Sequence, residues 1–205
     1  MDNQHSKRSN IAFVLGNGRS RLPVDTNALK YHGKVYACNA VYREAEPDFL
    51  IAVDVKMINE ITASGYNKDH EVWTNPNKGI SSKQNLNFFN PHKGWSSGPT
   101  ALWLASNHGY KTIYILGFDF QGIAGKFNNV YADTFNYKRS SDMATFHGNW
   151  LTQTDKVIKE FKSINFFRVV DPTSFTPDQL TAKQNSNLKN ISITDFLAKY
   201  PMHTV

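Results

Sequence analysis

Short apolar runs, each closed by a glycine, an amide or a carboxylate, punctuate this chain, and segments of helical period lie between several of them. Residues 11–15 read Ile-Ala-Phe-Val-Leu and stop at Gly16-Asn17-Gly18. An apolar residue at every position marks a strand buried on both faces, since a half-exposed strand would alternate. Residues 34–39 predict a second strand ending at Asn39. Residues 48–53, opened by Pro47, predict a third that ends at Asp54. If these strands are parallel neighbours, Asn17, Asn39 and Asp54 gather on one edge of the sheet.

Between the first two strands, residues 22–33 predict a short helix starting at Asp25 or Thr26. Met57, Ile58 and Ile61 recur at helical spacing before Gly65, which predicts a helix over 55–64. Short strands are expected at 71–74 and 86–90, around a Gly/Ser/Asn/Lys-rich loop at 75–85. Ser97 and Pro99 are helix-start residues, and Ala101, Leu104 and Ala105 form an apolar face that ends at Gly109. Residues 111–117 (Lys-Thr-Ile-Tyr-Ile-Leu-Gly) are a further strand, followed by Phe118-Asp119-Phe120.

Residues 121–149 show no period. A loop of that length inside a compact domain is usually functional, and it is read as a lid. Beyond it, Val157, Ile158 and Phe161 predict a helix over 153–162, and residues 166–170 a last strand. Residues 179–190 read as a flexible polar segment, and Thr194 as the cap of a helix over 195–200. Strands alternating with helices give an α/β class with a mostly parallel sheet flanked by helices. Residues 1–10 are expected to be a flexible leader before a single domain at 11–205.

Composition narrows the partners. No apolar run approaches the ~18 residues of a membrane span. The polar start lacks a hydrophobic signal segment, so the expected location is the cytoplasm. The single cysteine, Cys38, excludes an internal disulfide and reads as a small core residue. The net charge of +6 invites an anionic partner. Its basic residues are scattered, without the aromatic-interleaved basic run of a nucleic-acid groove. A phosphate-bearing small molecule is therefore the expected partner; the sequence leaves a homo-oligomer open.

The loop after a strand's carboxyl end is where open α/β sheets bind ligands. Gly16 and Gly18 permit close backbone approach, and a helix starting at Ser97-Gly98 would point free N–H groups at an anion. The loop at 16–21 is neither Gly-x-Gly-x-x-Gly nor a P-loop, and a tight turn with solvated arginines is the plain alternative. His147 beside Trp150 is equally open to a structural reading. So are Tyr131 and Tyr137 as core cover, and Asp119 as the orienter of a loop. His5, His32, His70, His92, His108 and His203 show no metal-ligand spacing and are read as surface residues.

Several phrases occur together in order: Gly16-Asn17-Gly18-x-Ser20, Cys38-Asn39, Ser96-Ser97-Gly98, then 109–120 (Gly-Tyr-Lys-Thr-Ile-Tyr-Ile-Leu-Gly-Phe-Asp-Phe), then paired tyrosines and a histidine. In these the chain resembles the bacterial sialyltransferases that use CMP-sialic acid. It is also similar to short bacteriophage proteins, in which case the cytoplasm would be that of a bacterial host. The resemblance runs over residues 11–174. It implies a Rossmann-like nucleotide-binding domain and a metal-independent glycosyltransferase with a nucleotide sugar, CMP-linked, as its donor. No cofactor or metal is then expected.

By the same resemblance, Asn17 and the Gly16 and Gly18 backbone, with Ser20 in the same loop, would hold the nucleotide phosphate and sugar. Asn39 would touch the CMP portion or the donor sugar, and Ser97 and Gly98 the donor carboxylate or the ribose. Asp119 completes the nucleotide-binding set. Tyr131 and Tyr137 would donate hydrogen bonds to the leaving phosphate, and His147 would be the general base. Arg19-Ser20-Arg21 stands where the family has Pro-Ser-Leu, and the extra charge could grip a second phosphate. The alternative reading is a non-catalytic nucleotide- or metabolite-binding protein on the same fold.

Overall fold

The computed structural model describes residues 10–171 and 174–202. Most of the expected leader, with His5 and His203, lies outside them. Eight strands form one sheet in which every pairing is parallel. They are β1 (Ile11–Leu15), β2 (Lys34–Cys38), β3 (Phe49–Ile51), β4 (Val72–Thr74), β5 (Asn87–Phe88), β6 (Thr112–Leu116), β7 (Asn165–Val170) and β8 (Leu188–Ser192). Their order is β5-β4-β3-β2-β1-β6-β7-β8. The chain runs outward from β1 to β5, then returns to lay β6 against the other side of β1. That reversal puts a topological switch point between β1 and β6, and the fold is Rossmann-like.

Five α-helices cover the sheet: α1 (Thr26–Leu29), α2 (Val55–Ser64), α3 (Ser97–Asn107), α4 (Gly148–Glu160) and α5 (Ile193–Lys199). Successive strand side chains point to opposite faces. Phe13 and Leu15 pack into the core that holds Leu29 of α1, Ile58 of α2 and Phe196 of α5. Ala12 and Val14 pack into the core that holds Leu102 of α3 and Ile158 of α4. Covered on both faces, β1 has no place for a polar residue, which explains its uninterrupted apolar run. None of the described helices is long and apolar enough to cross a membrane.

Several boundaries differ from the sequence reading, three of them for a physical reason. Helix α4 starts at Gly148, five positions before 153, because its first two residues, Gly148 and Asn149, carry no apolar side chain to show the helical period, while Trp150 both lines the cleft described below and packs against the core. The polar stretch 179–190 is not wholly irregular: a 3-10 turn spans Asp178–Leu180 and β8 begins at Leu188. As an edge strand, β8 fully buries only Leu188 and keeps polar residues outward, which hides it from a hydrophobic pattern. Ser192, not Thr194, caps α5 by accepting from the Asp195 N–H at 3.0 Å.

Candidate functional site

A cleft of about 560 Å³ opens over the carboxyl ends of the strands, a size suited to a small ligand. The turn after β1 meets the turn after β6 at its floor. The Gly16 N–H donates to the Leu116 carbonyl at 2.8 Å and the Gly18 N–H to the Gly117 carbonyl at 2.9 Å. Gly117 has φ +67°, and a Cβ there would lie 2.7 Å from the Gly16 carbonyl oxygen. A Cβ on Gly18 would overlap the Asp119 carboxylate. The two turns therefore pack backbone to backbone, which only glycine permits. Gly16 and Gly18 line the cleft, but their amides bond to the end of β6 and the turn after it. The expectation that these N–H groups cradle a phosphate is corrected on that ground.

Asp119, 8% exposed, knits the same corner. It accepts from the Ser20 N–H at 3.2 Å, from the Ser20 hydroxyl, and from Asn128 Nδ2 at 2.9 Å. Asn128 in turn accepts from the Arg19 N–H at 3.0 Å. Both carboxylate oxygens are thus engaged, and of the two roles the sequence left open, the geometry favours orienting the loop. Ser20 belongs to this brace and does not line the cleft. Asp119→Asn would set an NH2 group against donors. It is expected to cost about 2 kcal/mol, the scale of one hydrogen bond to a charged group. A fall in melting temperature of about 4–8 °C checks it.

Arg21 does not reach toward a second phosphate. It is 4% exposed, and its Nε donates to the Gly16 carbonyl at 2.9 Å. Its Nη2 donates to Tyr131 Oη at 2.9 Å and Glu44 at 3.1 Å. The guanidinium is a strut under the first turn, while Arg19 is exposed.

The tyrosines also lie outside the cleft lining. Tyr131 donates to Glu44 at 2.6 Å. Tyr137 accepts from Asn17 Nδ2 at 3.3 Å and from the Ala40 N–H at 3.4 Å. Burial pushes both phenols above their ordinary range, so they stay protonated. Tyr137 positions Asn17 instead of facing a ligand, and the role of leaving-group donors does not fit where the two rings sit.

The amides do converge. Asn17, Asn39, Ser97, Gly98 and His147 share the lining. Asn17 Nδ2 also donates to the Cys38 carbonyl at 3.3 Å, and its Oδ1 is buried with no hydrogen-bond partner among the described residues. Asn39 sits at φ +56°, a conformation Asn tolerates better than most residues. Its Oδ1 accepts from the Ser97 hydroxyl at 2.9 Å, and that hydroxyl accepts from the Val53 N–H at 3.2 Å. Burial pushes the Cys38 thiol up to about 12, so it is no nucleophile.

Three helices start at the cleft, and none is capped by a side chain: α2 at Asp54, α3 at Ser96 and α4 at His147. The helices that start elsewhere, α1 and α5, are capped by Asp25 and Ser192. The cleft helices have no acidic residue in the first turn; at α2 the Asp54 carboxylate stands at the cap itself, so the N-terminal partial charges left without a neighbouring acid at the cap or first turn are those of α3 and α4. Among the described residues no lysine or arginine lines the cleft. The groups there that could face an anion are the backbone N–H groups at the starts of α3 and α4, against which stand the carboxylates of Asp54 and Asp119.

His147 is half-buried at the start of α4 and packs edge-on to Trp150, with ring centroids 5.3 Å apart. Neither ring nitrogen has a hydrogen-bond partner among the described residues. Burial lowers its pKa below 6.5, and the Asp119 charge opposes that shift. It is therefore a neutral base near neutral pH.

Sequence reasoning did not pick out Asn128 or Asn75. Asn75 follows a strand end, as Asn39 does, and that pattern could have found it. Asn128 sits in an aperiodic loop that carries no such mark. No family model matches the chain, nor does any curated protein or solved structure. The likeness to the sialyltransferases therefore rests on the phrases of the sequence.

Proposed function

We propose that the protein is a glycosyltransferase that takes a nucleotide-linked sugar, CMP-type, and works without a metal. The observation that carries this is the convergence of uncapped helix starts and strand-end amides on a cleft that lacks lysine and arginine. Such a site suits one phosphoester charge better than a di- or triphosphate. The uncapped N–H groups of Ser97 and Gly98 are the donors for the phosphate. They are fixed before reaction and gain strength as charge grows on the leaving oxygen. The glycosyl carbon–oxygen bond breaks with its electron pair going to the phosphate. The acceptor hydroxyl bonds to that carbon, and its proton passes to the free imidazole of His147.

Incubation with CMP-linked sugars and a panel of saccharide acceptors tests this. The expected result is acceptor-dependent release of CMP. No release with any donor would overturn it.

A second reading is favoured by the placement of Tyr131 and Tyr137. With neither phenol at the cleft, the site could bind a nucleotide and leave it intact. Recovery of a tightly bound nucleotide unchanged would select that reading.

A further inference from the structure

Arg168 of β7 is 2% exposed and does not line the cleft. No carboxylate pairs with it among the described residues. Burial pulls its pKa down to about 10, and the Asp119 charge opposes that shift, so the guanidinium is charged near neutral pH. Taking such a charge out of water costs stability. What offsets the cost is a set of contacts that converge on one turn of the cleft.

Arg168 Nε donates to the Phe118 carbonyl at 3.1 Å, and the guanidinium carbon lies over the Phe120 ring, 5.6 Å from its centroid. Its Nη2 donates to the Phe175 carbonyl at 3.1 Å and its Nη1 to Asn190 Oδ1 of β8 at 3.5 Å. One side of the fork is thus tied to the sheet edge. The other holds Phe118 and Phe120, the residues on either side of Asp119. A lysine offers neither the fixed fork nor the flat face.

All three residues of that turn line the cleft. Phe120 has φ +54°, a conformation that strains a bulky residue and persists only where the surroundings hold it. The Phe118 ring lies against two glycines of the site. A Cβ on Gly16 would fall 2.9 Å from it, and one on Gly98, at the start of α3, 3.2 Å.

We propose that Arg168 is a positioning residue of the cleft: it holds the 118–120 turn in its strained form, and through it sets the Asp119 carboxylate that braces Ser20 and Asn128 and the Phe118 ring that meets the start of α3. The inference rests on the transferase reading only for its effect on turnover, since the ligand-free protein reports the positioning by itself.

The test is amide hydrogen exchange by NMR on the full-length, ligand-free protein. Arg168→Lys keeps the charge and loses the fork and the flat face. Arg168→Gln, shorter and neutral, stands beside it in case a buried ammonium unfolds the chain. The reporter is the Ser20 N–H, which donates to Asp119, read against the amides of β1 and β6. Ser20 protection is expected to fall about tenfold, the scale of one hydrogen bond, while β1 and β6 keep theirs. Unchanged protection at Ser20 would overturn the proposal. So would an equal loss at Ser20, β1 and β6, which marks a fall in global stability alone, or failure of both variants to fold, which would make Arg168 a core residue. Where the wild type transfers sugar, kcat/KM of the variants is expected to fall about 100-fold, the scale of a misplacement near ~1 Å. An unchanged kcat/KM would also overturn it. Local loss at Ser20 with no turnover of any donor by wild type defeats the transferase reading and keeps the positioning.

Discussion

Replacing His147 by alanine is expected to slow glycosyl transfer by about 10²–10⁴-fold, the range for losing a positioned general base. Binding of CMP should be unchanged, because the proposed phosphate donors are the N–H groups at the start of α3 and not the imidazole. Steady-state CMP release together with calorimetry separates the two effects. Parallel loss of binding and rate would mean that His147 holds the ligand or the fold, and would remove it as the base.

The direction of its pKa adds a second readout. Burial favours the neutral ring, so the rate should rise with pH through a value below 6.5 and stay level above it. The stability term has the same sign. Between the lowered folded value and the ordinary one, the unfolded chain binds the extra proton. The contribution of His147 to stability is therefore present above that window and is lost as pH falls through it. His147→Ala should abolish that limb.

Gly117→Ala is expected to be the most damaging single methyl group in the chain. Its φ of +67° disfavours any side chain, and the new Cβ meets the Gly16 carbonyl oxygen at 2.7 Å. Left-handed strain of ~1–2 kcal/mol and overpacking of ~1–3 kcal/mol give a loss of about 2–5 kcal/mol. That corresponds to a melting temperature lower by about 4–20 °C in a chain of this size. Gly109 is the control. It has φ +83° but nothing within 4 Å of its Cβ position, so Gly109→Ala should show the conformational part alone. Equal losses at the two positions would mean that the close approach of the two turns contributes nothing.

Much of the scaffold was legible because it depends on local rules. Residues 11–15 read as a doubly buried strand and are one. Gly65 ends α2 as expected, at φ +81°. The helix beginning around Ser97 and the strand that follows it stand where periodicity and start residues put them. Where local rules were silent, the reading failed: β8 keeps its polar residues on an edge, and α4 opens on Gly148 and Asn149, which show no apolar period.

The site was legible in outline and misread in detail. Strand-end amides at Asn17 and Asn39 could be foreseen as neighbours, because parallel strands bring their carboxyl ends together. The tasks of Gly16, Gly18, Arg21, Tyr131 and Tyr137 could not, since each depends on a partner far along the chain. Tyr137 reaches Asn17 across 120 positions and Arg21 reaches Tyr131 across 110. No spacing rule encodes such a pairing.

The order of apolar and polar residues was by itself enough to specify strands alternating with helices and a row of polar residues at their ends, because burial acts on each segment through its own period. Only the tertiary structure decided which polar groups remain free for a ligand. A hydrogen-bonding group is available only after the folded chain has taken its share, and here the fold claims the glycine amides, Arg21, Asp119 and both phenols while leaving His147 and the start of α3 unclaimed.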